Sequence, residues 1–310
     1  MVSTTRPNRA LAYQRASFLG ESRESARSIV GARNSPRIDE CSTAQCDVRA
    51  LMAMYALNHD PYNRERLFND TALAALTTYD FILSPRHDEL VIVSNAPDNI
   101  AHRLLGSPLG LRFVDEAETE QENRIYRMAH FSSGARVTST SAKNLLGSGK
   151  TASGDAAPDG LNPGYDFAPG KHLDRPLTPN ELASADWLGK LNPDFKALLA
   201  GLFVRLCARE IALVEGDDRP RWAVGNFYWD PLRREPAEWW ARQRPHSRVR
   251  LRRLRSVLEL RWSGPPFPSD IADALTDPVC GLRGATARPE FDGREYIVTY
   301  GRVRLLLRPF

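Results

Sequence analysis

A long stretch without periodicity in the middle of the chain constrains the fold most. Residues 142–177 are rich in Gly, Pro, Ser, Asp and Asn, and their apolar residues follow neither a helical nor a strand spacing. A segment of this kind in a compact protein is either a functional loop or a linker. It predicts an α+β unit over residues 43–141, an irregular loop or linker over 142–177 and a second α+β unit with a basic face over 178–310.

The first of these units reads as helices followed by a small antiparallel sheet. Apolar residues recur at helical spacing from Cys46 onwards, and again over "RERLFNDTALAALTTYDFIL" (64–83). Pro97 and Gly106 mark the start and the end of a further short helix. Alternating or continuous apolar runs predict strands over 89–95, 111–116, 124–131 and 135–141.

The second unit reads as a buried helix with a C-terminal antiparallel sheet. Thr178, Pro179 and Glu181 have the spacing of a helix cap, first turn and capping box. Apolar residues surround the helix predicted over 194–216, so it should be central and buried. The last residues, "REYIVTYGRVRLLLRPF", predict two strands that meet near Tyr300. The predicted fold class is therefore α+β.

Positive charge is concentrated in two segments. Residues 1–42 are polar and predict a basic, poorly ordered arm. Within residues 1–37 there are only two acids, Glu21 and Glu24. The arginines of the same range are Arg6, Arg9, Arg15, Arg23, Arg27, Arg33 and Arg37. This arm could contact nucleic acid, or serve as a targeting leader or as the secretion leader of an effector. The second segment, "RQRPHSRVRLRRLRS" (242–256), contains no acid.

The second basic segment predicts a row of cations on an anchored element. On a strand, Arg248, Arg250 and Arg252 share one face and Val249 and Leu251 the other, with Arg253 and Arg255 in a bulge or turn; a helix is nearly as compatible. Guanidinium groups suit phosphate oxygens, and neighbouring tryptophans suit stacked bases. The residues predicted to contact nucleic acid are Arg242, Arg244, Arg248, Arg250, Arg252, Arg253, Arg255, Trp239 and Trp240.

These features favour a nucleic-acid-binding protein, with RNA or single strands preferred, and are compatible with a subunit of a nucleoprotein or capsid-like assembly. Two other interpretations of the charge stay open. The row could pair internally with the acidic stretch 115–122, through Asp115, Glu116 and Glu118, or its basic face could make the protein an adaptor for an acidic protein partner.

An enzyme, or a secreted effector acting on a protein or nucleotide, is the main alternative. The sequence "TSTS" (138–141) on a predicted strand resembles the Ser-Thr-Ser strand of ADP-ribosyltransferases. That resemblance implies a downstream Glu-x-Glu or Gln-x-Glu, whereas this chain has only Glu235-x-x-Glu238. Elsewhere, His130 is close in sequence to Ser132 and Ser133, a base beside two nucleophiles, and the catalytic residues remain unknown.

Two further motifs are incomplete, and we expect neither a cofactor nor a metal. Gly149-Lys150-Thr151 ends like a phosphate-binding loop but lacks the first glycine. Cys41, Cys46 and His59 have the spacing of three zinc ligands without a fourth.

The sequence also favours an intracellular, reducing compartment, the cytoplasm of a cell or host. The cysteines are too few for a disulfide framework, and the sequence has no apolar leader and no apolar run of membrane-spanning length. We therefore expect no membrane contact, and oligomerisation stays open.

Overall fold

The computed structural model describes residues 5–31, 35–59, 81–94, 96–118, 124–141, 176–205, 249–254, 257–262 and 267–310. The helices of these residues are α1 (Thr5–Leu19), α2 (Arg23–Val30), α3 (Thr43–Ala56), α4 (Pro97–Gly106), α5 (Pro179–Gly189), α6 (Pro193–Val204) and α7 (Pro268–Thr276). The strands are β1 (Asn58–His59), β2 (Phe81–Pro85), β3 (Glu89–Ser94), β4 (Leu111–Glu118), β5 (Arg124–His130), β6 (Arg136–Thr140), β7 (Val249–Leu254), β8 (Val257–Trp262), β9 (Thr286–Glu290), β10 (Glu295–Tyr300) and β11 (Val303–Pro309). The predicted α+β class is confirmed.

The strands form two sheets, and both are mixed rather than wholly antiparallel. The first has the order β2-β3-β6-β5-β4, and the second has the order β1-β7-β8-β11-β10-β9. Each contains one parallel pair, β3 with β6 and β8 with β11, because the chain leaves and re-enters the sheet between those strands. In the second sheet, β8 pairs on one side with the arginine-rich strand β7 and on the other side with β11.

One hydrophobic core joins the two halves of the chain. Helix α3 packs against α6, and their buried residues belong to the same cluster as residues of both sheets. In addition, the two-residue strand β1 pairs with β7 across the long central segment. The two predicted α+β units thus share a core, while the predicted boundaries between them stay a prediction.

The local signals in the sequence account for several elements. Thr178 caps α5 and forms the predicted capping box with Glu181, and Pro97 begins α4 as predicted. The first part of the helix predicted over 194–216 is present as α6, which ends at Val204 with Arg205 as its C-cap and fully buries Leu198 and Leu199. The other residues predicted for that helix, from 206 onwards, lie outside the described residues.

The prediction of a helix over 64–83 is wrong at its end. Residues 81–83 belong to β2, which forms a hairpin with β3 and buries Leu83 in the core. Pairing with a neighbouring strand outweighs local helical periodicity here. The rest of that predicted helix, 64–80, lies outside the described residues.

The N-terminal segment was predicted to be a poorly ordered arm, whereas residues 5–30 form α1 and α2. Arg15, one of the seven arginines of that segment, is fully buried and pairs with Glu21. It also donates hydrogen bonds to the carbonyls of Pro36 at 2.6 Å and Pro85 at 2.8 Å. Internal acceptors thus satisfy this charge, which explains why a polar segment can pack against the core.

Candidate nucleic-acid interface

Strand β7 carries the part of the predicted arginine row that the structure describes, namely Arg250, Arg252 and Arg253. The predicted contact residues Arg242, Arg244, Arg248, Arg255, Trp239 and Trp240 lie outside the described residues.

The alternation predicted for this strand is confirmed, but Arg253 lies on the other side. Val249 and Leu251 are buried in the core, so Arg250 and Arg252 project from the opposite, outer face of the second sheet. Arg253 is not in a bulge or turn: it belongs to the strand and stacks over Phe195 of α6, at 5.0 Å from the ring centroid. Strand parity therefore separates Arg253 from the other two arginines.

The arginine row is partly compensated by acids from neighbouring strands. Arg252 donates to Glu259 of β8 at 2.6 Å, and Glu259 is buried although it lies on the outer face. Arg308 of β11 lies 3.6 Å from the same carboxylate and donates to Glu295 at 2.6 and 2.9 Å. Residues 242–255 include no acidic residue, but the pairing of β7 with β8 places Glu259 beside Arg252. Part of the row is thus an internal ion-pair network, with partners other than the predicted Asp115, Glu116 and Glu118.

The acidic stretch finds its partner within its own hairpin. Asp115 of β4 accepts a hydrogen bond from Arg127 of β5 at 2.7 Å, and these two residues are register partners. The predicted pairing of this stretch with the arginine row is therefore wrong for Asp115.

Two arginines of the outer face meet at an aromatic ring. Arg250 of β7 and Arg261 of β8 are directly opposite in the antiparallel register. Like charges at such positions repel each other. Both guanidinium groups lie over the ring of Phe310, at 5.9 Å for Arg250 and 4.6 Å for Arg261. Phe310 is 47% exposed and is held in place because its backbone N–H donates to the carbonyl of Trp262 at 2.8 Å.

The ring of Phe310 also borders a groove of about 650 Å³. Phe267, which is 54% exposed, and Arg294 contribute to the lining of this groove. Two exposed aromatic rings, several guanidinium groups and the Glu295 carboxylate thus occur together at one corner of the second sheet. Sequence reasoning missed Phe310 and Phe267, because nothing local in the sequence shows that the C-terminal residue lies beside Arg250 and Arg261.

A second basic surface lies between α1 and α2. Arg9, Arg23 and Arg27 are exposed and line a groove of about 510 Å³ together with Tyr13. Arg23 stacks over the Tyr13 ring at 5.1 Å. None of the three arginines forms an ion pair with a carboxylate in the part of the chain that the structure describes. The arginines that were predicted to lie on a poorly ordered arm are thus exposed on the packed helices α1 and α2.

The "TSTS" strand is buried in the first sheet. Thr138 donates to the Glu89 carboxylate at 2.6 Å, Ser139 to the Pro97 carbonyl at 2.8 Å, and Thr140 to the Arg124 carbonyl at 2.8 Å. All three side chains are almost completely buried. These hydroxyls therefore satisfy internal acceptors, and the geometry adds nothing to the resemblance to ADP-ribosyltransferases.

His130 and Ser133 do meet, as their closeness in sequence suggested. Nδ1 of His130 lies 2.8 Å from the Ser133 hydroxyl and 3.4 Å from that of Ser132. Burial lowers the pKa of His130, as does nearby Arg112, although the charge of Asp47 opposes this shift. The Ser133 hydroxyl also accepts from the Ala135 N–H at 3.4 Å, inside the turn between β5 and β6. The contact thus stabilises a turn, and neither of the grooves described above includes it.

The remaining sequence motifs gain no support as sites. Within the described ranges, no group of three or more His, Cys, Asp or Glu side chains could hold a metal ion. The residues of the incomplete phosphate-binding loop, Gly149, Lys150 and Thr151, lie outside those ranges. Among the helices that the structure describes, none has both the length and the apolar character needed to cross a bilayer.

Comparisons with known proteins leave the site to be interpreted from its own geometry: no protein-family model, no curated protein and no solved structure matches this chain.

Proposed function

We propose that the protein binds nucleic acid, preferably RNA or another single strand, at the corner of the second sheet around Phe310. The observation that carries this proposal is the exposed Phe310 ring, contacted by the opposed guanidinium groups of Arg250 and Arg261. Bases stack on exposed aromatic rings while arginines neutralise phosphates, a combination that single-stranded nucleic acids use.

The local electrostatics support an anionic ligand at this corner. Arg250 and Arg261 repel each other across the register, and a bound phosphate would relieve that repulsion. The α1–α2 groove offers three more exposed arginines beside an aromatic ring for the same class of ligand.

The test is a fluorescence-anisotropy titration of a labelled single-stranded oligonucleotide over a series of salt concentrations, with RNA, DNA and duplex forms of one sequence. We expect affinity to fall with salt, with a log–log slope of about 0.7 per neutralised phosphate on a single strand. The double variant Arg250→Gln/Arg261→Gln should reduce this slope by about 1.4, because two phosphate contacts are lost. Removing two opposed like charges should not destabilise the fold, which a thermal melt will check.

Phe310→Ala separates stacking from charge. It should weaken binding by about 1–3 kcal/mol at every salt concentration and leave the salt slope unchanged.

The control for the arginine double variant is Arg302→Gln. Arg302 is an exposed arginine that directly precedes the first residue of β11, at the end of the strand far from Phe310. Absence of oligonucleotide binding at low salt, or an effect of Arg302→Gln as large as that of Arg250→Gln/Arg261→Gln, would refute the proposal.

The adaptor alternative predicts a different outcome of the same experiment. A polyglutamate competitor would then displace the oligonucleotide as well as unlabelled nucleic acid does, and Phe310→Ala would have no effect. A place in a nucleoprotein or capsid-like assembly, and an intracellular location, stay predictions.

A further inference from the structure

The start of helix α3 brings two thiols together. Ser42 is the N-cap of α3, and its hydroxyl accepts a hydrogen bond from the Gln45 N–H at 3.3 Å. Cys41 is the residue before the cap and Cys46 is the fourth residue of the helix. Side chains at these two positions meet across the first turn, where proteins often place an apolar contact. Here both positions hold cysteine, and each thiol is the largest influence on the pKa of the other.

The surrounding structure fixes this geometry. The Ser42 N–H donates to the His87 carbonyl at 2.9 Å, and the Cys46 N–H donates to the Ser42 carbonyl at 2.9 Å. Gln45 donates to the carbonyls of Asp88 at 3.1 Å and Arg136 at 2.5 Å, so the first turn is attached to the first sheet. The cap that follows Cys41 and the turn that carries Cys46 are therefore both fixed to the first sheet.

We propose that Cys41 and Cys46 form a thiol–disulfide exchange site, which small disulfides such as oxidised glutathione convert to an intramolecular disulfide. Both cysteines are partly exposed, whereas Cys280 is buried. The pair is thus accessible to a small oxidant, and it is compatible with a resting dithiol state in a reducing compartment.

The electrostatic environment makes Cys41 the attacking residue. The hydrogen bond from Cys46 lowers the pKa of the Cys41 thiol to about 7, against the opposing effect of burial, and the Arg49 guanidinium adds to the shift. Asp39 raises this pKa and His87 lowers it, each to a lesser extent. The same hydrogen bond and burial raise the pKa of Cys46, so its thiol keeps its proton until exchange begins.

The exchange proceeds in two balanced steps. The Cys41 thiolate attacks one sulfur of glutathione disulfide, forms a mixed disulfide and releases one glutathione thiolate. The Cys46 thiol then gives up its proton and attacks the Cys41 sulfur, forming the Cys41–Cys46 bond and releasing the second glutathione. Two protein thiols are oxidised, and one glutathione disulfide is reduced to two thiols.

The experiment exposes the folded full-length protein to glutathione buffers of increasing oxidised fraction, then blocks remaining thiols and digests with trypsin. Cleavage after Arg37 and Arg49 places both cysteines in the single peptide "IDECSTAQCDVR" (38–49), apart from Cys207 and Cys280. We expect this peptide to lose two hydrogen atoms and escape alkylation, while Cys280 stays a thiol because burial raises its pKa to about 12.

Single substitutions test the assigned order of attack. Cys46→Ser should trap glutathione on Cys41, whereas Cys41→Ser should leave Cys46 at least about tenfold slower to react. If circular dichroism shows that a variant is unfolded, mixed disulfides quenched early in the wild-type reaction give the same comparison. Two alkylated thiols in this peptide at full oxidation, or equal reactivity of Cys41 and Cys46, would overturn the proposal.

Discussion

The ion pair between Asp39 and Arg205 offers a sharp test of the shared core. The Arg205 side chain is fully buried at the end of α6, and its two terminal nitrogens donate to the two Asp39 oxygens, each at 2.7 Å. Asp39 precedes α3, so this pair connects the N-terminal half to the second half of the chain. Asp39→Asn keeps the shape of the side chain and removes its charge.

The structure sets the size of the expected effect. Removing one partner of a buried pair costs about 3–5 kcal/mol, because the remaining charge is buried without compensation. Two features reduce this value: Asp39 is 30% exposed, and Arg205 keeps hydrogen bonds to the carbonyls of Gly201 at 2.9 Å and Cys280 at 2.7 Å. The asparagine oxygen can also accept one of the two lost bonds. We therefore expect Asp39→Asn to reduce the free energy of unfolding by about 2 kcal/mol.

Urea denaturation followed by circular dichroism measures this change from the midpoint at a constant slope. The control is Asp186→Asn, since the Asp186–Lys190 pair is about two-thirds exposed on both sides and should contribute less than about 0.5 kcal/mol. A loss for Asp39→Asn no larger than that of the control would refute the reasoning. In that case the connection between the halves would depend on apolar packing alone.

Two further predictions concern the pair of Glu181 with Arg112 and the core contact of β7. Burial by itself would raise the pKa of Glu181, but hydrogen bonds from Arg112 and from the Thr178 N–H lower it below its ordinary value of 4.5. The folded pKa is thus below the unfolded one, so the stabilisation is complete above pH 4.5 and declines as the pH falls through lower values. Glu181→Gln should destabilise the protein at neutral pH, and the difference from the wild type in urea denaturation should shrink in acid; a constant difference would contradict this. Leu251→Ala should cost about 2–5 kcal/mol of unfolding free energy, because Leu251 is buried, whereas a loss below about 1 kcal/mol would show that the strand is not anchored in the core.

Local sequence signals predicted much of the fold. Caps and proline positions identified α4 and α5, and continuous or alternating apolar runs identified β3, β5, β6, β10 and β11. What local signals could not predict was the connection between the halves. The pairing of β1 with β7, the parallel pairing of β8 with β11 and the contact of Asp39 with Arg205 all join residues far apart in sequence. Periodicity within a short window contains no information about such partners.

The N-terminal segment shows why composition was misleading there. Its arginines and serines are typical of a disordered arm, yet Ala12, Ala16, Ala26 and Val30 form a small apolar contact between α1 and α2. A buried carboxylate, Glu21, neutralises Arg15 and also accepts from Ser84 of β2 at 2.6 Å. A few small apolar residues with one satisfied internal charge are enough to fold a segment whose overall composition is polar.

The strand that carries part of the candidate site was predicted, but the residues that surround it were not. The arginine segment pointed to the correct strand and to the correct inward residues, Val249 and Leu251. It could not show that Arg252 meets a buried carboxylate or that Arg253 lies against α6, because both facts depend on the neighbouring elements. The aromatic residue at the site is Phe310, which follows β11, whereas the sequence suggests tryptophans near residue 240.

The same neighbours determine how the charges of the outer face are arranged. Arg252 pairs with Glu259, and Arg308, which lies opposite Arg261 in the parallel register, pairs with Glu295. At the corner beside Phe310, two arginines are opposed and the aromatic ring is exposed. Charge and stacking surface thus coincide where the ends of neighbouring strands meet, and they do not extend along β7. On the proposed function, a single strand would therefore cross β7, β8 and β11 at this corner instead of following the arginine row that first drew attention to it.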